Sequence, residues 1–504
     1  MTLTNIKLEI EEGLIKSITT FPEGVCVVTG ETGTVFRNAY ILPGMTDSHC
    51  HLWGLGMMRK ILTFDDCNSE KNCIEKAESQ PFFRSNWIFG RGWNQENWKN
   101  SNLPTLEHLD KAFPDNPCYF IRVDGHAAWV NSKALEIAGI SKETKDPVGG
   151  AILRYDDGTP NGVLVDSAML LAEKLIPDFS EEQYQEFISI AQDLCIQVGI
   201  TAVHDMDVSP KLVDIFRKMN SSNELKIRIY SHISAQNDEY IDAGITPYIS
   251  DFFNVVGIKL FSDGALGSRG AALLSDYADE AGNKGLLILD KMQMAEKAEI
   301  AIQKGFDIAI HAIGDRANRE VLDAYQILRQ KFGNFRNKLR IEHAQIVAEE
   351  DIPRFRELNV IASVQPIHYI GDEKMALARL GREIFDKHGY PWQKFLKNGV
   401  EIIAGSDFPI ESHNPFLGLS AFLTRQNLEG GEIQNPEERL NLFDAIKSYT
   451  LTPAKVVNSS TGLLRVGYKA DFVITNSNIG SKSQIHETSV EAVYVGGNLK
   501  YSRS

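Results

Sequence analysis

The 504-residue sequence has no long apolar run, no surplus of basic charge and few cysteines. Its apolar stretches, such as Gly24-Val25-Cys26-Val27-Val28, end after a few residues, far below the roughly 18 that a membrane span requires. Met1-Thr2-Leu3-Thr4-Asn5 lacks the basic-then-apolar pattern of a signal peptide, so a cytoplasmic protein is expected. Lys and Arg number 52 against 67 Asp and Glu, a formal net charge of −15. A surface that acidic repels phosphate backbones and anionic lipid, so neither nucleic acid nor a membrane is an expected partner. The six cysteines (Cys26, Cys50, Cys67, Cys73, Cys118 and Cys195) have no framework spacing and read as reduced thiols. What is present is ordinary for a folded chain, 43% hydrophobic and 24% charged residues. The acidic surplus reads as solvated surface. A small-molecule substrate and a second copy of the chain, as a homodimer, are the partners the sequence allows.

The length exceeds one ordinary domain of about 100–200 residues, leaving three domains or one enlarged barrel. From about residue 180 the chain alternates short apolar strands with amphipathic helices. Ser180-Glu181-Glu182-Gln183 is a capping box that opens a helix, and Gly199 suits its left-handed stop. Strands are expected at Ile200–Val203, Lys226–Tyr230, Val255–Phe261, Asp307–Ile310, Leu339–Glu342, Val360–Val364 and Glu401–Ala404. An eighth, Ala39–Leu42, runs into Pro43-Gly44. Eight strands with helical crossovers predict a (β/α)₈ barrel over residues 43–462. Thirty-two positions separate His311 from His343, one βα unit, whereas His51 and Val203 stand 152 apart. The first connection therefore carries an insertion of roughly 120 residues, judged by that unit length, and the Trp-, Pro- and Gly-rich segment at about 65–180 is expected to form an ordered cap. Residues 1–42 and 463–504 read as short strands, each segment too small for its own core, and together predict one small β-sandwich.

Chemistry-bearing residues gather at the predicted strand ends. His49 and His51 are two apart, so an extended strand presents both imidazoles on one side, as a metal would need. Cys50 faces the other way. Lys259 lies near the end of one strand, His311 ends another, His343 follows Arg340-Ile341-Glu342, and Asp407 follows Ala404-Gly405-Ser406. His343 and Asp407 are 64 positions apart, two units of 32. A barrel directs the carboxyl ends of all its strands to one mouth, so these six residues are expected to converge there.

These motifs resemble those of the amidohydrolase superfamily, and within it the type-3 group that includes N-substituted formamide deformylase-like proteins. Pro43-Gly44 with Asp47-Ser48-His49-Cys50-His51 is similar to the superfamily's opening motif. The narrower group is resembled by Gly257-Ile258-Lys259-Leu260-Phe261-Ser262-Asp263-Gly264, His311-Ala312-Ile313-Gly314-Asp315, Ile341-Glu342-His343-Ala344 and Gly405-Ser406-Asp407-Phe408-Pro409. Gly92-Trp93-Asn94-Gln95 and Asp124-Gly125-His126-Ala127 in the insertion resemble it too, with Asn94 where many relatives carry Asp. The resemblance implies two divalent ions, zinc being the expected metal, with His49 and His51 on one and His311 and His343 on the other. It implies that Lys259 is carboxylated to a carbamate that bridges the ions. Asp407 would bind one ion and take the proton of the activated water, so that Lys259 and Asp407 are the catalytic pair. The implied reaction is hydrolysis of a non-peptide carbon–nitrogen bond in an N-formyl, N-acyl or cyclic amide. Candidate substrate contacts are His126, Trp93, Arg269, Gln365 and His368, while His204 reads as a supporting or core residue.

Other readings stay open at this level. The same fold serves mononuclear deaminases, in which Lys259 is an ordinary lysine. A Schiff-base lysine of the barrel-aldolase kind is argued against by the surrounding histidines. A metal-free, non-enzymatic relative would not need all six ligand-type residues.

Overall fold

Eight parallel strands form the central sheet of the protein, described from a computed structural model over residues 3–427, 430, 433–479 and 485–503. They are β1 (Met45–Cys50), β2 (Ile200–Val208), β3 (Arg228–Ser234), β4 (Phe253–Phe261), β5 (Asp307–Ala312), β6 (Leu339–His343), β7 (Val360–Val364) and β8 (Ile402–Ala404). Each pairs with its neighbour in chain order from β1 to β8. The sheet closes through the segment after β8, where Asp407 N donates to His49 O (2.7 Å) and His51 N donates to Phe408 O (2.8 Å). Glycine is required at that seam, because a Cβ on Gly405 would lie 2.4 Å from His49 N. Amphipathic helices such as Lys291–Gln303 and Asp315–Phe332 return the chain between strands and bury one face each.

The first strand differs from the sequence expectation. Tyr40–Pro43 does not enter the barrel but pairs with Phe472–Thr475 in an outer sheet, and β1 begins only at Met45. The chain changes sheets at Gly44, whose N–H donates to Asp471 O (2.9 Å) while Met45 N donates to Gly199 O (3.2 Å). Apolar Tyr40-Ile41-Leu42 carries the same pattern whichever sheet it joins, so periodicity alone could not separate the two. The third strand likewise starts at Arg228 rather than Lys226.

The chain ends build two four-stranded sheets. Leu14–Thr20, Ile6–Glu11, Val25–Thr29 and Thr32–Phe36 form one, and Asn498–Ser502, Val490–Val495, Phe472–Thr475 and Tyr40–Pro43 the other. Leu8, Ile10, Val25, Val27, Ile41, Phe472, Ile474 and Tyr494 from both share one buried cluster. Neither segment could bury that many apolar groups alone.

Residues Gly56–Phe187 form a compact unit of their own. Its sheet runs in the order Gly150–Arg154, Pro160–Asp166, Ala127–Val130, Cys118–Arg122, Trp87–Trp93 and Leu62–Thr63, with Phe83–Arg84 beside Trp87–Trp93. Trp87, Trp93, Trp129 and Tyr119 are fully buried in it. The unit extends past 65–180 at both ends, where Lys60 pairs with Glu186 (2.6 Å). The expected capping box forms: Gln183 N donates to Ser180 Oγ (3.2 Å) and Ser180 N to Gln183 Oε1 (3.1 Å). All six cysteines are free and buried, and among the described residues no helix is long and apolar enough to cross a membrane.

One buried ion pair fastens the end sheets to the barrel. Arg228 at the start of β3 donates from Nε to Asp471 Oδ2 (2.7 Å) and from Nη2 to Oδ1 (3.0 Å), and both side chains are out of water. Gly496 N also donates to Asp471 Oδ1 (2.7 Å). Without Asp471 the buried Arg228 would keep only Asp251 (2.8 Å), whose side chain is largely exposed, and Gly496 N would lose its acceptor. Asp471→Ala is expected to destabilise the protein by about 1.5–3 kcal/mol in urea unfolding, the loss of hydrogen bonds to a charged group. The same change at exposed Glu11, paired with Lys16, should cost under about 1 kcal/mol. Equal effects at the two positions would contradict this account.

Candidate metal centre

β1 and the segment after β8 lie side by side, and this brings residues from opposite ends of the barrel sequence together. Asp407 Oδ1 stands 3.2 Å from His51 Nε2 and 3.5 Å from His49 Nε2. His343, at the end of β6, stands over His49 with ring centroids 4.9 Å apart, and His311, near the end of β5, over His343 at 4.4 Å. One ligand-type atom from each of His49, His343 and Asp407 lies within 4.8 Å of the other two. This three-residue group takes one histidine from each of the pairs expected from the sequence, His49 with His51 and His311 with His343. Two of the three sit in strained backbone: His343 has φ +73° and Asp407 φ +61°, left-handed conformations that non-glycine residues seldom adopt. Such strain persists only where the surroundings enforce it, and it concentrates at functional sites.

Burial sets the charges here. His49 is pushed down to about 4 and His311 to about 3, first by burial and then by the neighbouring Lys259 charge. His343 is driven well below its ordinary value by burial and by the adjoining His311 and His49. All three are therefore neutral near pH 7, the state in which an imidazole donates to a metal. His51 moves the other way: burial opposes its charged form, but the hydrogen bond and charge of Asp407 outweigh it and raise the pKa. Asp407 is held well below the usual carboxylate range, since His49 and His51 beside it overcome its burial. Lys259 falls from 10.5 to about 8, lowered by burial and partly restored by Glu342 and Asp407.

The donor set fits a divalent cation. Lys259 Nζ, His311 Nε2, His343 Nδ1 and His368 Nε2 are buried and make no hydrogen bond among the described residues. A buried polar atom without a partner costs about 1–3 kcal/mol, so several in one place need a common occupant. Imidazole nitrogens with carboxylate oxygens, and no thiolate, suit zinc or a similar divalent ion.

A second layer of acidic groups holds these side chains, and sequence reading assigned it no role. Asp47 accepts from Ser406 Oγ (2.6 Å), Ser406 N (3.1 Å) and His49 N (3.1 Å), tying β1 to the loop that carries Asp407. Asp263 accepts from Ala272 N (2.9 Å), Ile313 N (3.0 Å) and Gly314 N (2.9 Å), and its Oδ1 lies 3.5 Å from His311 Nε2. Asp205 accepts from Leu52 N (2.8 Å). Burial pushes each of these three carboxyls up to about 7. Glu342 receives His49 Nδ1 at 2.7 Å. The available signal was position: Asp47, Asp205, Asp263 and Glu342 each stand in, or two residues past, a barrel strand.

The expected substrate contacts divide. Gln365 is buried beyond β7 and donates to Ser363 O (3.3 Å), and His368 Nε2 lies 4.0 Å from Asp407 Oδ2, so His368 borders the centre. Arg269 is committed to Asp279 (3.0 Å) and Glu280 (3.1 Å), which take the place that a substrate carboxylate would fill. In the inserted unit Trp93 is fully buried and donates from Nε1 to Phe120 O (2.7 Å), as a core residue does. His126 is exposed and pairs with Asp166 (2.8 Å). His204 is buried inside the barrel, its Nδ1 accepting from Arg340 Nη1 (2.9 Å).

Comparison with known proteins adds four findings. A metal-dependent hydrolase of unassigned activity from Pyrococcus horikoshii OT3 superposes with a TM-score of 0.78 at 25% identity, covering 95% of this chain and 99% of its own. The protein LONG AFTER FAR-RED 3 of Arabidopsis thaliana is 33% identical over 486 residues, 92% of this chain and 82% of its own length. The N-substituted formamide deformylase of Arthrobacter pascens is 24% identical over 491 residues, 92% of this chain and 89% of its own. Residues 37–501 match the amidohydrolase family as a whole. With the barrel, the strand-end histidines and that near full-length match, the chain belongs to the amidohydrolase family, in its type-3 group.

Proposed function

We propose that the protein is a metal-dependent hydrolase of non-peptide carbon–nitrogen bonds in small N-formyl, N-acyl or cyclic amides. The observation that carries this reading is the convergence of neutral, buried His49 and His343 on ionised Asp407, with His311 against His343 and the amine of Lys259 buried without a hydrogen bond among the described residues. In this reading His49 and His51 would hold one divalent ion and His311 and His343 a second, and Lys259, as a carbamate, would supply the ions with an anionic ligand. Zinc is the metal best matched by the donor types. Bound there, such ions would lower the pKa of a water and polarise a carbonyl.

The protein's own groups supply the rest. Asp407 Oδ1, ionised and 3.2 Å from His51 Nε2, accepts the proton of the attacking water and returns it to the leaving nitrogen. His368, 4.0 Å from Asp407 Oδ2, borders the same space and can hydrogen-bond the acyl group. The named activity of the Arthrobacter relative supports an N-formyl substrate. The barrel offers no free cation from Arg269 to select an acidic one. A mononuclear site gains some support from the cluster of His49, His343 and Asp407, which could hold one ion without Lys259.

Hydrolysis of a panel of N-formyl, N-acyl and cyclic amides by the zinc-loaded protein tests the reaction class, and inactivity across the panel would overturn it. Activity in Lys259→Ala should collapse, and short carboxylic acids should partly restore it by standing in for the carbamate. Undiminished activity would falsify the carbamate role and leave the mononuclear reading.

Carbamate formation gives a separate pH dependence. Only the neutral amine adds carbon dioxide, and Lys259 is set to about 8 by burial. Below that pH the amine is protonated, so the neutral fraction rises about tenfold per pH unit and levels off above it. Reconstitution of the metal-free protein with zinc at fixed dissolved carbon dioxide should therefore accelerate up to about pH 8 and then plateau. A rate independent of pH and carbon dioxide would show that Lys259 is not modified.

A further inference from the structure

The carboxylate of Glu342 has no part in the chemistry just described, yet it lies wholly out of water at the base of the centre. Arg340 and Glu342 are two apart on β6, so both side chains take the same side of the strand. There Arg340 Nε donates to Glu342 Oε1 (2.8 Å) and Nη2 to Oε2 (3.2 Å). Arg340 also donates from Nη2 to Ser48 O (2.7 Å) and Ser363 Oγ (3.1 Å), and from Nη1 to His204 Nδ1 (2.9 Å). Arg340, Glu342, Ser48, Ser363 and His204 are all fully buried.

A carboxylate gripped edge-on by a guanidinium is ionised and can only accept hydrogen bonds. His49 Nδ1, 2.7 Å from Glu342 Oε2, must therefore carry the proton, and Nε2 is the one ring atom left for a metal. His51 reaches the same tautomer through a weaker partner, since its Nδ1 donates to the neutral carbonyl of Met206 (3.1 Å). The two imidazoles thus match in tautomer and differ in the charge behind them. Arg340 holds His49 at two points: the peptide oxygen of Ser48 just before it, and the carboxylate on its ring.

We infer that Arg340 and Glu342 are positioning residues for the metal centre. Glu342 fixes the Nδ1–H tautomer and ring plane of His49 and strengthens its Nε2 as a donor, and Arg340 keeps Glu342 charged and aimed. This rests on the reading of His49 as a metal ligand. Partners of this kind, hydrogen-bonded behind a ligating histidine, change metal affinity about 10–100-fold when removed.

The test is zinc affinity of the full chain, measured by chelator competition with no substrate present. Glu342→Gln should bind zinc about 10–100-fold more weakly, and the visible bands of its cobalt(II) form should shift. That variant leaves Arg340 buried without its counter-ion and risks misfolding. The double variant Arg340→Met, Glu342→Gln removes both charges together. Its metal-free unfolding midpoint should fall, because Ser48 O, Ser363 Oγ and His204 Nδ1 lose their buried donor, yet zinc affinity measured well below that midpoint should show the same loss as Glu342→Gln, so that affinity follows Glu342 and not stability. Parental zinc affinity and an unshifted cobalt spectrum in a folded variant overturn the inference. Neutron diffraction of the unaltered, metal-free protein decides the tautomer whether or not the variants fold: a deuteron on His49 Nδ1 supports it, and one on Nε2 overturns it. A parent chain that binds no zinc would instead sink the ligand reading of His49, and this inference with it.

Discussion

The centre depends on the seam where the barrel closes. Two backbone hydrogen bonds, Asp407 N to His49 O and His51 N to Phe408 O, join the first strand to the segment after the last. They carry Asp407 to within 3.5 Å of both His49 and His51. Asp47 reinforces the seam by accepting from Ser406, and Gly405 lets the two backbones approach. A barrel that failed to close here would still have eight strands, but its aspartate and its paired histidines would stand on opposite sheet edges. In this protein, closure of the fold and assembly of the site are one event.

Inside the barrel the sheet encloses charge where such folds more often stack aliphatic side chains. Lys259, His49, His311, His343, His204, His232, Arg340 and Glu342 are all at least nine-tenths buried. Desolvation keeps these histidines neutral, and the buried ion pair of Arg340 with Glu342 keeps a carboxylate ionised where burial alone would protonate it. A metal site needs both conditions at once: neutral nitrogen donors, and negative charge nearby to balance a cation. The left-handed backbone at His343 and Asp407 shows that the surrounding structure supports conformations their local sequence would not choose.

Much of this arrangement was legible in the sequence. The strand ends were readable because several barrel strands are short apolar runs with His, Lys or Asp inside them or within three residues past their ends, some of them at intervals set by the βα unit. The composite nature of the chain ends was readable because neither segment could form a core alone. Ala39–Leu42 suits a barrel strand and the end sandwich equally, since an apolar strand next to Pro-Gly gives no sign of which sheet it joins, and its Tyr40-Ile41-Leu42 lies in the sandwich sheet. Trp93 looked like a pocket residue because a tryptophan in a glycine-rich segment suits either role, and only its fully buried indole separates them. Arg269 could not be matched to Asp279 and Glu280 by any regular spacing, because the segment between them is irregular. Arg340-x-Glu342 did carry a signal, two opposite charges on one face of an otherwise apolar strand, which water-exposed positions would not explain.

Metal content is the most direct test of the account. The purified protein, stripped with a chelator, reloaded with zinc in the presence of bicarbonate and freed of excess ion, should retain two zinc ions per chain by elemental analysis. Retention of none would contradict the assignment of the His49, His51, His311, His343 and Asp407 cluster as a metal centre.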